Sequence, residues 1–309
     1  MDPKAIIGAM PAPASPLPEG TQLESYRIQK LLATGGFSFV YLAHDENDVP
    51  VAIKQYRIAA DDRAKFLHGM RCFLEEGRAL TRFAHPNVVR VLNFFRAHET
   101  VFLVMRYERG RTLHEHLARH QGVLEETWIR STFAQLLNGL REVHSDRLLH
   151  LDIKPANVYV RNDGSPVLID FGAARQTLAG GVADLPPTYT PGFASPEQHT
   201  DREMLGPWSD IYSVGATMYA ALAGSPPPPA DERLETDHLV PARRAWRGKY
   251  SKELLDTIDW CLKVFHFERP QSVFMLQKTL TGEKPPAPAD HTVVTGLKAA
   301  IMRFRGNSS

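Results

Sequence analysis

The chain has almost no cysteine, no excess of either charge and no long apolar run. Only Cys72 and Cys261 occur among 309 residues. Both stand in helix-like patterns beside apolar neighbours (CFL and WCL), so they read as buried reduced thiols rather than a disulfide framework or a metal site, and they fit a reducing compartment. The 36 basic residues against 35 acidic ones leave a net charge of +1. No global field therefore selects nucleic acid or an anionic membrane as the main partner. The longest weakly polar stretch, Ser213 to Gly224, is too short for a membrane span and reads as a buried helix. The apolar run AIIGAM near the N-terminus is too short for a signal peptide. With 43% hydrophobic residues there is enough apolar material for a substantial core, and a globular, cytoplasmic protein is the expectation.

Residues 1–25, with PAPASPLPEG inside them, combine proline, alanine and glycine with little to bury and are expected to form a flexible tail. From Tyr26 onward, short runs rich in β-branched and aromatic residues (YRIQKLL, FSFVYLAHD, VPVAIKQYR) alternate with the turn formers TGG and DEND. This predicts hairpin-connected antiparallel strands. In the first turn Gly35 and Gly36 carry no side-chain bulk, which lets backbone N–H groups approach a phosphate chain, although most Gly-Gly turns only reverse the chain. Lys54 ends an otherwise apolar strand, so its ammonium needs a partner. Residues 62–83 place Phe66, Met70, Phe73, Leu74 and Leu80 at helical spacing, with Glu75 and Glu76 near the centre. VVRVLNFF and TVFLVMRY add strands, giving a sheet of about five. After it the pattern turns helical: ETWIRSTFAQLLNGLREVH has Ile129, Phe133, Leu136, Leu140 and Val143 on one face. A small sheet followed by a helical part suggests two lobes with a cleft.

The chemistry concentrates in HLDIKPANVYV (His150 to Val160) and IDFG (Ile169 to Gly172). Asp152, Lys154, Asn157 and Asp170 lie there on short loops beside apolar strands. Phosphoryl transfer needs a residue to position the attacking hydroxyl, oxygen ligands for magnesium and a cation on the migrating phosphate. These four side chains supply that set.

The ordered series TGGFSFV, VAIK, a helix glutamate, HLDIKPAN, DFG, SPE (Ser195 to Glu197), WSDIYSVG and ERP resembles the eukaryotic-type (Hanks-type) protein kinases, in particular the bacterial serine/threonine kinases. The resemblance covers about residues 26–281. It implies an α+β, bilobal protein-kinase fold. The N-lobe (26–106) would be an antiparallel sheet with one main helix, the C-lobe (107–281) mainly helical, and 282–309 a linker with a short amphipathic basic segment. It implies ATP and Mg2+ as cofactors, with Mn2+ a possible substitute, and proteins bearing Ser or Thr as substrates. In role, Asp152 would orient the substrate hydroxyl and accept its proton, Asn157 and Asp170 would bind the metal, and Lys154 would neutralise the γ-phosphate. Thr190 would join Asp152 and Lys154. Lys54 would hold the α- and β-phosphates with Glu76 as its partner and Glu75 as the fallback. Ala33, Gly35, Gly36 and Ser38 would form the phosphate loop, and Val40, Ala52, Met105, Tyr107 and Tyr159 would surround adenine. Glu197 and Arg269 match a structural ion pair, and Asp210 the aspartate that anchors the catalytic loop.

Several positions depart from the family pattern. Ala33 and Ser38 replace the outer glycines of G-x-G-x-x-G, which implies weaker nucleotide binding at worst. Tyr159 replaces an aliphatic floor under the base. Leu151 stands where most of these kinases carry the arginine that pairs with a phosphate on the activation loop. The segment from Ala173 to Ala194 is therefore expected to be held by packing, with Thr177 and Thr188 as autophosphorylation sites that activity does not require. GSPPPP (Gly224 to Pro229) reads as a stiff surface connection. In the last segment Val294, Leu297, Ile301 and Phe304 share a helical face near Lys298, Arg303 and Arg305, and self-docking or partner binding ranks above membrane contact. The expected function is a serine/threonine protein kinase. The rivals are a nucleotide-binding pseudokinase scaffold, which the full set of reacting side chains argues against, and a small-molecule kinase, which gives no reason for SPE.

Overall fold

A computed structural model describes residues 15–36, 38–57, 63–120, 124–171 and 189–282 of the chain. They fall into two compact units. The first takes in the described residues up to Arg109 together with Asp170 and Phe171, and the second Gly110–Ile169 and the described residues from Tyr189 onward.

In the first unit the period-two alternation builds an antiparallel sheet. Its strands are β1 (Gln22–Leu23), β2 (Tyr26–Thr34), β3 (Ser38–His44), β4 (Pro50–Tyr56), β5 (Val91–Ala97) and β6 (Thr100–Arg106), in the order β1-β2-β3-β4-β6-β5. The DEND turn forms as the composition predicts, because the Asp45 carboxylate accepts the N–H groups of Asn47 and Val49 at 2.9 and 2.8 Å. Phe39, Tyr41, Val51, Ile53, Phe102 and Val104 point to one face and pack with Leu23, Ile28 and Phe95. The sheet has six strands rather than five. The extra strand, β1, lies within the stretch read as a tail, where Leu23 is only 1% exposed and the Leu17 amide donates to the Tyr41 hydroxyl at 3.0 Å. Two leucines in a proline-rich context give no periodic signal, yet they suffice to pin the backbone at the sheet edge.

Helix α1 (Arg63–Leu80) joins β4 to β5. It packs closely on β6, since a Cβ at Gly77 would meet the Leu103 side chain at 2.9 Å.

The second unit holds a three-stranded sheet of β7 (Gly110–Thr112), β8 (Val158–Arg161) and β9 (Pro166–Leu168). Gly110 is required there, because a Cβ would lie 2.1 Å from the Val160 carbonyl oxygen. Its helices are α2 (Leu113–Arg119), α3 (Glu126–Ser145), α4 (Pro196–Thr200), α5 (Pro207–Ala223), α6 (Ala230–Glu235), α7 (Ala242–Ala245), α8 (Lys252–Cys261) and α9 (Val273–Leu280). The apolar residues that predict α3 are all buried. Helix α5 is buried along almost its whole length, as a helix apolar on all sides should be. Both cysteines are buried thiols outside any disulfide, and burial pushes the Cys261 thiol pKa up. Among the described residues no helix is long and apolar enough to cross a membrane.

Candidate active site

In the first unit the strand register decides which side chains share a face. Ala33 faces Val40, Val40 faces Lys54, and Ala52 faces Met105. Directly paired residues lie on the same side of a sheet, so these five occupy the face opposite the Phe39–Tyr41 core. Lys54 is 8% exposed and donates to Asp170 Oδ1 at 2.7 Å. It lies 3.8 Å from Glu76 Oε1, with the Phe73 ring 5.6 Å away. Of the two glutamates Glu76 is the buried one beside the ammonium, whereas Glu75 is half-buried. The Asp170 side chain is 44% exposed. Its φ of 61° is a left-handed conformation that costs a non-glycine residue about 1–3 kcal/mol.

At the hairpin between β2 and β3, the Gly35 amide donates to the Ser38 carbonyl at 2.8 Å. Neither glycine is needed for internal packing: a Cβ at Gly36 meets nothing within 4 Å, and one at Gly35 only reaches Ser38 Oγ at 3.4 Å. Tyr107, just after β6, is half-buried.

In the second unit the loop from His150 to Asn157 gathers the remaining polar groups around one carboxylate. Lys154 Nζ donates to both Asp152 oxygens, at 3.0 and 2.8 Å. The Thr190 hydroxyl donates to Asp152 Oδ1 and accepts from Lys154, both at 2.8 Å. Asn157 Nδ2 donates to the Asp152 carbonyl at 2.9 Å and to Oδ2 at 2.8 Å. With its amide nitrogen committed, Asn157 presents its oxygen as the acceptor end. Tyr159 is half-buried on β8, opposite Thr112 and Val167.

The loop backbone is fixed from α5 and α4. Asp210, fully buried, accepts the amides of His150 at 2.8 Å and Leu151 at 2.7 Å, and also contacts His144 Nε2 at 2.7 Å. Burial pushes this carboxyl up, but the hydrogen bond from His144, the electrostatic pull of His144 and His150, and the His150 amide outweigh it and hold its pKa below the ordinary aspartate value. His150 Nδ1 accepts the Asp152 amide at 3.3 Å and Nε2 faces the Ile169 carbonyl at 3.2 Å, so the ring is held from both sides within the loop. Leu151 is 5% exposed with φ of 60°, and its carbonyl accepts from Gln198 Nε2 at 3.0 Å.

Gln198 and His144 are the working residues that sequence reasoning missed. For Gln198 a signal was present: Ser-Pro-Glu-Gln is a capping-box pattern, and Gln198 Oε1 does accept the Ser195 amide at 2.9 Å. His144 is one more polar residue on an amphipathic helix, with nothing local to single it out. Glu197 forms a double contact with Arg269, at 2.8 and 3.0 Å, and accepts from Ser209 at 2.7 Å. Burial raises the Glu197 pKa, yet the Arg269 charge and these hydrogen bonds bring it below the ordinary value. Gly172, Thr177, Thr188 and the segment from Glu283 onward lie outside the described residues.

Residues 26–280 match the family described as protein kinase domain. The chain is 32% identical over 228 residues to serine/threonine-protein kinase B of a Synechocystis species, covering 69% of this chain and 39% of that protein. It is also 32% identical over 224 residues to serine/threonine-protein kinase PknA of a Nostoc species, covering 69% and 38%. The chain thus spans about two fifths of the length of these curated relatives. Among solved structures, the apo form of PpkA-294 superposes with a TM-score of 0.78 at 31% identity, covering 86% of this chain and 100% of that one. The kinase domain of PknI from M. tuberculosis shares the fold, with a TM-score of 0.67 at 22% identity.

Proposed function

Because the chain belongs to the protein kinase family, we propose that it is an active serine/threonine kinase that transfers the γ-phosphoryl group of ATP to protein hydroxyls. The observation that carries this reading is the Asp152 carboxylate, held by Lys154, Thr190 and Asn157 together. A carboxylate so fixed orients an acceptor hydroxyl and takes its proton as the oxygen attacks. The new P–O bond forms on the serine or threonine oxygen, the bond to the bridging oxygen breaks, and ADP leaves with that electron pair. Lys154 offsets the charge spread over the migrating group.

Lys54, aligned by Glu76, is the residue for the nucleotide phosphates. Gly35 and Gly36, which internal packing does not require, leave backbone open to them. Val40, Ala52 and Met105 form the apolar face for the base, with Tyr107 following β6 in the same unit, and the family resemblance implies a contact with adenine for Tyr159. Asn157 and Asp170 would each offer an oxygen to Mg2+, or Mn2+ in its place, as the family resemblance implies. Their donor set fits, being an amide oxygen and a partly exposed carboxylate. The metal, when bound, draws charge from the phosphate oxygens. Two reduced, buried cysteines support the cytoplasm as the site of action.

Leu151 further supports activity that does not await a phosphate on the activation loop. Its side chain is packed away from solvent and has no charge to pair with one, while Asp210 and Gln198 already fix its backbone. Autophosphorylation at Thr177 or Thr188 is then a product of activity rather than its condition. A Thr177→Ala, Thr188→Ala double variant should retain most of its activity, and near-complete loss would refute the independence.

Radiolabel transfer from ATP to the chain itself and to a generic basic protein, with Asp152→Ala as control, tests the main reading. Label should exceed the control by about 100-fold or more. Label no higher than the control under varied metal conditions would instead make the protein a nucleotide-binding scaffold.

A further inference from the structure

Within the second unit a cavity of about 560 Å³ opens beside the loop that carries Asp152, a size that takes a bulky side chain with its backbone. Leu117 and Ala118 of α2, Pro155 and Ala156, and Phe193 and Pro226 are among the residues that line it. Lys154 and Thr190 also belong to its lining, and both hydrogen-bond Asp152. The pocket is therefore continuous with the place where the acceptor hydroxyl must lie.

The proline run is part of this construction. Gly192 has φ of 82°, and a Cβ there would lie 2.6 Å from the Pro227 carbonyl oxygen and 2.8 Å from Pro226 Cβ. The TPGF segment and the prolines thus pack backbone against ring. Proline rings are rigid and have no N–H to offer, so this wall is preformed and apolar.

Charge settles what the pocket accepts. Among the described residues lining it there is no aspartate or glutamate, so a lysine or arginine side chain would be desolvated without a counter-ion. The Lys154 ammonium is already engaged by both oxygens of Asp152 and by Thr190, which leaves an acidic side chain only His114, an exposed imidazole of the lining, to pair with.

We propose that this pocket receives an apolar side chain of the substrate polypeptide, close to the phosphorylated serine or threonine, and so selects acceptors flanked by an aliphatic or aromatic residue rather than a charged one. Three extended residues span about 10 Å, so the selected position lies within three residues of the acceptor. The inference rests on the kinase reading above.

The test is a positional-scanning peptide library with a fixed Ser/Thr acceptor, phosphorylated by the full chain with ATP and magnesium, with autophosphorylation recorded in the same reactions. At one position within three residues of the acceptor, Leu, Met, Ile, Val or Phe should be preferred over Arg, Lys, Asp and Glu by about tenfold or more. Leu117→Glu and Ala156→Glu each bring a carboxylate into the lining, and Ala156 is exposed, so the second change does not strain the core. Either should turn the preference at that position toward Arg or Lys and leave the other positions as they were. A flat or charge-selective wild-type profile, or an unchanged profile in both variants, with autophosphorylation intact, overturns the pocket assignment alone. Absence of any transfer by the wild type overturns the kinase reading, and this inference with it.

Discussion

Thr190 sits between a carboxylate and an ammonium, donating to one and accepting from the other at 2.8 Å. Hydrogen bonds to charged groups contribute about 1.5–3 kcal/mol. Thr190→Val should therefore lower kcat/KM by about 10- to 100-fold, while Thr190→Ser, which keeps the hydroxyl, should stay much nearer the wild type. Steady-state kinetics with one peptide decides this, and equal losses in the two variants would count against the hydroxyl's role. The motif residues around it were legible because they lie close together in sequence. Asp152, Lys154 and Asn157 span a single loop, and their types and spacing already describe the chemistry. The choice between Glu75 and Glu76 was not legible from periodicity, since adjacent helix positions differ by about 100° and only the packing of α1 on β6 decides which one is buried.

Between α4 and the catalytic loop the connection is one amide. Gln198 accepts from the Ser195 backbone and donates to the Leu151 carbonyl, so it caps its own helix while holding a residue at φ of 60°. Gln198→Leu keeps the volume and removes both bonds, leaving buried groups unpaired at about 1–3 kcal/mol each. The expected result is a lower urea midpoint together with a fall in kcat larger than the change in KM. A stability loss without any kinetic effect would make Gln198 a cap only. Helix α5 offers a purer packing test. A Cβ at Gly215 would lie 2.4 Å from Cys261 Cβ on α8, and neither atom is the end of a flexible chain. Gly215→Ala should destabilise by about 1–3 kcal/mol, measurable as a lower Tm. The helices themselves were predictable from spacing, but their contacts were not. The proline run shows this best: its composition announced stiffness, and only the fold revealed that Pro226 walls a pocket.

For the whole molecule, the buried carboxylates set the response to acid. Glu197 has its folded pKa held below the ordinary 4.5, because Arg269 and Ser209 outweigh burial. Its contribution to stability is thus complete above pH 4.5 and is lost as pH falls through the depressed folded value. In urea titrations from pH 7 to 3, the wild type should lose midpoint steeply below 4.5. Glu197→Gln should begin lower and lack that part of the slope, whereas parallel curves would exclude the pair as an acid-sensitive element. The order of the motifs in the sequence identified the fold class because each motif is local. The edge strand β1, which pairs with the neighbouring β2, escaped because two residues carry no periodic pattern, whereas His144 and the Gln198 bond to Leu151 escaped because their partners are distant in the chain. That distance also matters while the protein is being made. Asp210 lies 60 residues after the His150 amide it binds. At roughly 5–20 residues per second of synthesis, Lys54, Asp152, Asn157 and Asp170 all precede their anchor, and the interval from loop to anchor lasts about 3–12 s. A ribosome-bound chain that has passed Asp170 but not Asp210 carries these side chains without the carboxylate that holds the His150 and Leu151 amides.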